Sequence, residues 1–267
     1  MVMKHTIDEL IDRAVRVVHG AGDIALNYFR SQMQIDDKHS RGVFDPVTEA
    51  DRRIERLISE GLSSVDPGLA VIGEEYGRSG EGNSYWIIDP IDGTRAFICG
   101  MPLWGILVGL VIDGVPVGSV MYQPFTGETY ISDSGGPRLF HRNTVASIRT
   151  SACRSVSEAI VYSLDPRLIE RANLMRPFSR LMEQCRMLRW GGDCYSIAMV
   201  AHGCIDLVVE AGLEPYDVVP LIHLVESAGG VVTDLDGARP MNGGIVVAAA
   251  NRELHEAVLA IFRESSG

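Results

Sequence analysis

The sequence predicts an α+β protein built as two fused lobes of layered helices and mixed sheets. Three observations carry that prediction. Ile7, Leu10, Ile11, Ala14, Val17, Ala21 and Ala25 recur at helical spacing, so the chain opens on a long amphipathic helix. Residues 85–132 hold a series of apolar strands joined by tight turns, which is the pattern of an antiparallel meander. From residue 157 onward, short strands alternate with helices. The 267 residues, 46% of them hydrophobic, are enough for one large core or two closely joined halves.

The first helix spans residues 6–31, and residues 32–42 are polar and loop-like. Asp45-Pro46 has the cap-then-proline order that opens a helix, and Ala50, Ile54, Leu57, Ile58 and Leu62 form that helix's apolar face. Asp66-Pro67-Gly68 ends it, residues 69–73 form a short strand, and Glu74-Glu75 follow at once. Tyr85-Trp86-Ile87-Ile88 is a buried strand, after which Pro90 is expected to stop the ladder and Gly93 to allow a tight turn. Residues 103–112 form a fully buried strand. Asp113-Gly114 makes a two-residue hairpin, residues 115–122 return, and Thr126-Gly127 turns into a third strand at 128–132. Residues 134–156 are irregular and Arg-rich and separate the halves. The second half reads as strand 157–162, helix 167–184, strand 187–190, helix 196–202 and strand 205–210. A helix marked by Val218, Leu221, Ile222 and Val225 follows, closed by Gly229-Gly230. Strands at 231–233 and 244–249 precede a last helix capped by Asn251. There are no internal repeats, low-complexity tracts or flexible linkers.

The formal net charge of -11 argues against nucleic acid or an anionic membrane as the principal partner. A phosphate ester stays open, because a bound cation reverses the field locally. No apolar run approaches the roughly 20 residues that span a bilayer, and no signal peptide is expected. The five cysteines, Cys99, Cys153, Cys185, Cys194 and Cys204, are odd in number and contain no C-x-x-C pair. They point to reduced thiols and a cytoplasmic protein. Cys194 and Cys204 admit a reading as zinc ligands, against which stands the habit of free cysteine to pack as a small buried hydrophobe.

Chemistry concentrates in Asp89-Pro90-Ile91-Asp92-Gly93-Thr94, where two carboxylates and a hydroxyl stand at the end of a rigid strand. Crowded carboxylates raise each other's pKa unless a cation sits between them, and hard oxygen ligands at this density suit Mg²⁺ or Mn²⁺. Asp45, Glu74 and Asp217 are further acids at element ends. Each has a plain structural reading: Asp45 as a helix cap, Glu74 in a solvated loop, Asp217 at the positive end of a helix dipole.

Taken together, the motifs resemble the inositol monophosphatase family. They are Asp45-Pro46-Val47-Thr48-Glu49-Ala50-Asp51, Gly73-Glu74-Glu75, Trp86-Ile87-Ile88-Asp89-Pro90-Ile91-Asp92-Gly93-Thr94 and Tyr216-Asp217, the last ahead of Glu226-Ser227-Ala228-Gly229-Gly230. The resemblance covers nearly the whole chain in order. It implies one phosphatase domain over residues 1–267, with lobes at about 1–150 and 151–267. It also implies the layered α/β/α/β/α sandwich of the inositol monophosphatase and fructose-1,6-bisphosphatase type, and a homodimer. It assigns Glu74, Asp89 and the Ile91 carbonyl to one Mg²⁺, and Asp89, Asp92 and Asp217 to a second; two or three ions, with Mn²⁺ an alternative, fit that set. Thr94 with Asp45 would orient and deprotonate the attacking water, with Glu74 assisting. Backbone N–H groups of Gly93 and Thr94 would meet the phosphate. Attack would be direct and in line, without a phosphoenzyme.

Two stretches resemble the histidinol-phosphate phosphatase branch. One is Asp92-Gly93-Thr94-Arg95-Ala96-Phe97-Ile98 continued by Met101-Pro102-Leu103-Trp104-Gly105. The other is Trp190-Gly191-Gly192-Asp193-Cys194-Tyr195 with 206–213 and Pro215-Tyr216-Asp217. The resemblance therefore implies a substrate-binding set of Ile91, Asp92, Gly93, Thr94, Arg95, Gly191, Gly192, Asp193 and Glu210. Histidinol phosphate carries an ammonium group, and Asp193 with Glu210 facing the leaving alcohol would favour it over neutral inositol. The structural reading of Asp193 is a helix cap. Arg95 would meet the substrate phosphate or a neighbouring acid. The rival readings are an inositol-1-phosphate or broad-specificity sugar phosphatase and, from another class, a non-catalytic metal-binding regulator on the same fold.

Overall fold

A computed structural model describes residues 5–32, 34–37 and 46–264. The chain divides into two compact units, Met1–Ala146 and Ser147–Gly267.

The first unit begins with α1 (Ile7–Tyr28), capped by Thr6 in a capping box with Glu9. Leu10, Ile11, Ala14, Val18, Ala21 and Ala25 of α1 are buried. Gly22 lies where a Cβ would come within 2.3 Å of the Tyr122 ring, so glycine lets the helix approach the sheet. Two short strands, β1 (Ile35–Asp37) and β2 (Pro46–Thr48), pair antiparallel and lead into α2 (Glu49–Val65). This differs from the expected helix start at Asp45-Pro46. Pro46 lies in β2, and the cap is Thr48, whose hydroxyl accepts from Ala50 N–H at 3.1 Å. Asp51 completes the box, accepting from the Thr48 N–H at 2.8 Å. Asp45 itself lies outside the described residues.

Five strands and one short helix follow: β3 (Ala70–Gly73), β4 (Gly77–Ser79), β5 (Tyr85–Asp92), α3 (Thr94–Ile98), β6 (Gly105–Ile112) and β7 (Val115–Gln123). Pro90 does not stop the ladder. β5 runs on to Asp92, with Asp89 opposite Leu107 and Asp92 opposite Gly105, and a register shift between them absorbs the missing donor. The β6–β7 hairpin turns at Asp113 and Gly114, both at positive φ, as the Asp-Gly pair predicts. Past β8 (Glu128–Ser132), the stretch expected to be irregular forms two more strands, β9 (Arg138–His141) and β10 (Thr144–Ser147). Their residues are half-buried or exposed, so the apolar alternation that marks a strand is missing. The eight-stranded sheet has the order β10-β9-β8-β7-β6-β5-β3-β4.

The second unit holds β11 (Ile160–Ser163), α4 (Pro166–Arg171), α5 (Met175–Gln184), β12 (Met187–Trp190), α6 (Asp193–His202), β13 (Leu207–Leu213), α7 (Pro215–Ser227), β14 (Val231–Thr233), β15 (Gly244–Ala249) and α8 (Arg252–Glu264). Its five-stranded sheet runs β12-β11-β13-β15-β14, parallel among the first three strands and antiparallel thereafter. The single helix expected over 167–184 is two, because Asn173 takes φ 57° between them. Asparagine tolerates the left-handed region, so an apolar periodicity running through it conceals the break. Gly229 (φ 100°) terminates α7 and Asn251 caps α8 through Leu254 N–H, both as expected. Cys194 is buried, but Cys204 is exposed rather than packed as a small hydrophobe.

Thr48→Ala removes the α2 cap and one donor to the buried Asp51. The expected loss is about 1–2 kcal/mol of stability, read as a lower denaturation midpoint with unchanged secondary structure by circular dichroism.

Candidate metal and substrate site

Four of the expected residues stand at the ends of two neighbouring strands in the first unit. β3 pairs parallel with β5, Gly73 opposite Ile88, so Glu74, the first residue past β3, follows beside Asp89 of β5. Asp89 is 2% exposed and Asp92 9%. The ladder irregularity at Pro90 brings a carboxylate oxygen of each within 4.8 Å of the other. Glu74, half-buried, does not join them at that distance. Asp89 Oδ1 accepts from the Ile91 N–H at 3.0 Å. The Ile91 carbonyl in turn accepts from the Thr94 hydroxyl at 3.0 Å. Thr94 therefore hydrogen-bonds the backbone oxygen expected among the metal ligands, which keeps a second lone pair for a cation. Gly93 takes φ 85°, the left-handed turn that only glycine enters without strain, and delivers Thr94 and Arg95 as the first residues of α3.

In the second unit, Gly191 (φ 88°) and Gly192 (φ 117°) carry the chain from β12 into α6. A Cβ on Gly192 would come within 2.8 Å of Ser196. Gly192 is the N-cap, so Asp193 is the first helical residue and not the cap. Asp193 itself has φ 44°, a conformation aspartate tolerates better than most residues. Asp217 sits in the first turn of α7, where its Oδ2 accepts from the Glu214 N–H at 2.7 Å and closes a capping box. The structural reading of Asp217 is thus realised, and it orients the side chain.

Glu210, on β13, is the least compensated carboxylate of this unit. It is 2% exposed, and among the described residues it receives one long hydrogen bond, 3.4 Å from Ser196 Oγ. That hydroxyl is closer to the Asp193 carbonyl, at 2.8 Å. Burial, reinforced by the charges of Asp193 and Asp217, pushes the Glu210 carboxyl up to about 8.

Sequence reading quoted Asp51 only within the family motif and overlooked Glu55; both are buried on α2. Their signal is present in hindsight: two acids four residues apart flank the Ala50–Ile54–Ile58 stripe, where a solvated helix face was to be expected.

The chain matches the inositol monophosphatase family model over residues 6–266. The histidinol-phosphatase of Chlorobaculum parvum is 34% identical over 252 residues, 92% of this chain and 94% of that protein. The inositol-1-monophosphatase of Rhizobium meliloti is 30% identical over 261 residues, 95% of this chain and 96% of that protein. Among solved structures, an inositol monophosphatase from Zymomonas mobilis superposes with a TM-score of 0.84 at 33% identity, covering 97% of this chain and all (100%) of that one. The mixed sheets with helices are therefore those of this family's α/β sandwich, as the sequence predicts. Among the described residues, no helix is long and apolar enough to cross a membrane.

In the metal-free protein Glu210→Gln tests the carboxyl's burial. A carboxyl raised in the fold binds its proton more tightly there than in the unfolded chain, so wild-type stability falls as pH rises from about 4.5 towards 8. Glu210→Gln is expected to melt higher than wild type at pH 8 with chelator present. The gap should close below pH 4.5, the ordinary value for a glutamate carboxyl, when followed by thermal denaturation.

Proposed function

The chain belongs to the inositol monophosphatase family, and from that premise we propose that it is a Mg²⁺-dependent phosphatase that hydrolyses histidinol phosphate. Phosphatase activity on a small phosphate ester comes with the family; the metal, the residues and the substrate are this reading. Two buried aspartates with oxygens inside 4.8 Å fit a divalent cation with hard oxygen ligands. Asp89, Asp92, Glu74 and the Ile91 carbonyl would hold metal, with Asp217 completing the set that the family resemblance supplies. When bound, the metal lowers the pKa of water and neutralises phosphate oxygens. Thr94, with Asp45, would orient the attacking water, and Glu74 would accept its proton. Gly93 and Thr94 N–H groups, with Arg95, would fix the phosphate.

The observation that carries the substrate is the under-compensated Glu210 beside Asp193. A buried carboxylate with one long hydrogen bond and like-charged neighbours is completed by a cation. An alcohol bearing an ammonium group supplies one, and a neutral polyol does not. Gly191 and Gly192 would leave room for that leaving group. The identity to proteins named histidinol-phosphatase supports the reading. Similar identity to the inositol-1-monophosphatases keeps inositol 1-phosphate as the competing substrate. Release of phosphate from the two esters, with and without Mg²⁺, decides between them. Faster turnover of inositol 1-phosphate would overturn the assignment.

Asp89→Asn is expected to abolish turnover of either ester at saturating Mg²⁺ while the circular dichroism spectrum stays that of the wild type, since an amide keeps the shape and loses the charge.

Asp193→Asn keeps a residue that tolerates φ 44° and removes the charge. Losing an ammonium–carboxylate contact costs about 1.5–3 kcal/mol, against about 0.5–1.5 kcal/mol for a hydroxyl partner. kcat/KM for histidinol phosphate should therefore fall roughly ten- to a hundredfold, and for inositol 1-phosphate by about tenfold or less. Equal losses would make Asp193 structural.

A further inference from the structure

Glu55 points into the first unit from α2, one turn beyond Asp51, and is 1% exposed. Its carboxylate accepts two backbone hydrogen bonds, from Glu75 N–H at 2.7 Å and from Tyr76 N–H at 2.9 Å. On the same loop, a Cβ at Gly73 would come within 1.9 Å of Glu55 Oε1. The carboxylate is thus seated directly on the Gly73 Cα, a place open only because residue 73 has no side chain. One side chain therefore fixes Gly73 from its Cα and residues 75 and 76 from their N–H groups. The residue enclosed by those three contacts is Glu74. β3 sets where the chain leaves the sheet, beside Asp89, and Glu55 sets the direction in which it turns.

We propose that Glu55 is a positioning residue for the metal ligand Glu74: it holds the 73–76 turn so that the Glu74 carboxylate is presented to the cation already oriented. The proposal rests on the reading of Glu74 as a ligand. Glutamate is needed because both N–H groups must be met by acceptors. A glutamine offers one oxygen and turns its NH₂ towards the other N–H. A carboxylate that orients a ligand through its backbone acts on metal affinity as outer-shell partners generally do, by about ten- to a hundredfold.

The test is direct Mn²⁺ binding to the full-length protein, with free Mn²⁺ followed by electron paramagnetic resonance well below the melting temperature. Glu55→Gln is measured beside Glu74→Gln and Asp133→Asn. Asp133 is a buried carboxylate of the same unit that holds a turn through Gly135 N–H and Arg138, so its variant reports what losing such a hold does to stability alone. The expected result is a Mn²⁺ dissociation constant roughly ten- to a hundredfold higher in Glu55→Gln, with Asp133→Asn binding as wild type. Wild-type Mn²⁺ affinity in Glu55→Gln, together with weakened binding in Glu74→Gln, overturns the positioning role and leaves Glu74 a ligand. Wild-type affinity in Glu74→Gln overturns both. If Glu55→Gln does not fold, Glu55→Asp is judged by the same criterion. It keeps the charge and withdraws the carboxylate by one methylene, so undiminished affinity there also overturns the proposal.

Discussion

Two like charges held close at the end of one strand are the constraint on which this structure turns. Asp89 and Asp92 are both buried, with oxygens within 4.8 Å. At an effective dielectric near 20, two ionised carboxylates at that distance repel by about 3 kcal/mol or more. That is a large share of the roughly 5–15 kcal/mol by which a domain is stable. The local backbone serves to hold them there. Pro90 gives up a ladder bond, the register slips by one step, and Gly93 turns the chain through a conformation other residues avoid. A cation between the two carboxylates would relieve that repulsion.

The buried acids divide by how they are satisfied. Asp51 is bonded by the Thr48 N–H and hydroxyl, and burial still pushes it up to about 6, with Glu75 adding to the effect. Glu55 has two backbone donors, and Asp133 has Arg138. Those three are closed by the protein itself and shape the chain around them. Glu210 is met by one long bond, whereas Asp89 accepts from the Ile91 N–H and keeps a carboxylate oxygen within 4.8 Å of one of Asp92. Incomplete satisfaction of a buried acid is costly, and of these three Glu210 shows it.

Much of this was legible in the sequence because it depends on local pattern. The apolar stripe of α1, the Asp-Gly hairpin, the glycine that ends α7 and the acids at strand ends are all readable from a few neighbouring residues. What was not legible depends on tertiary contact. β9 and β10 carry no apolar alternation and exist because β8 offers them an edge. The β1–β2 pair takes Pro46 out of the helix where its sequence order would place it. α4 and α5 are separated by one asparagine in a conformation that leaves no mark on periodicity. Glu55 was hidden for a different reason. A glutamate on a helix reads as solvated until the glycine it rests on, eighteen residues later, is seen beneath it.

Specificity in such a site has to come from where the substrates differ. Every phosphate ester would present the same group to Asp89, Asp92 and their partners, so on the proposed reading those residues set whether hydrolysis happens and leave open on what. The difference lies in the alcohol. The formal net charge of -11 draws cationic groups weakly and everywhere, and ionic strength screens that attraction within about 8–10 Å. Glu210 and Asp193 would act over shorter distances and, in Glu210, from a buried position where screening is slight. On the proposed reading, the Glu210 carboxyl, which burial pushes up, would ionise when an ammonium group arrives, because the pair is stable where the lone charge is not. The same carboxyl gains nothing comparable from a hydroxyl. On the proposed reading, discrimination between a cationic and a neutral leaving group would follow from burial and charge in β13 and the start of α6, independently of the chemistry at the phosphate.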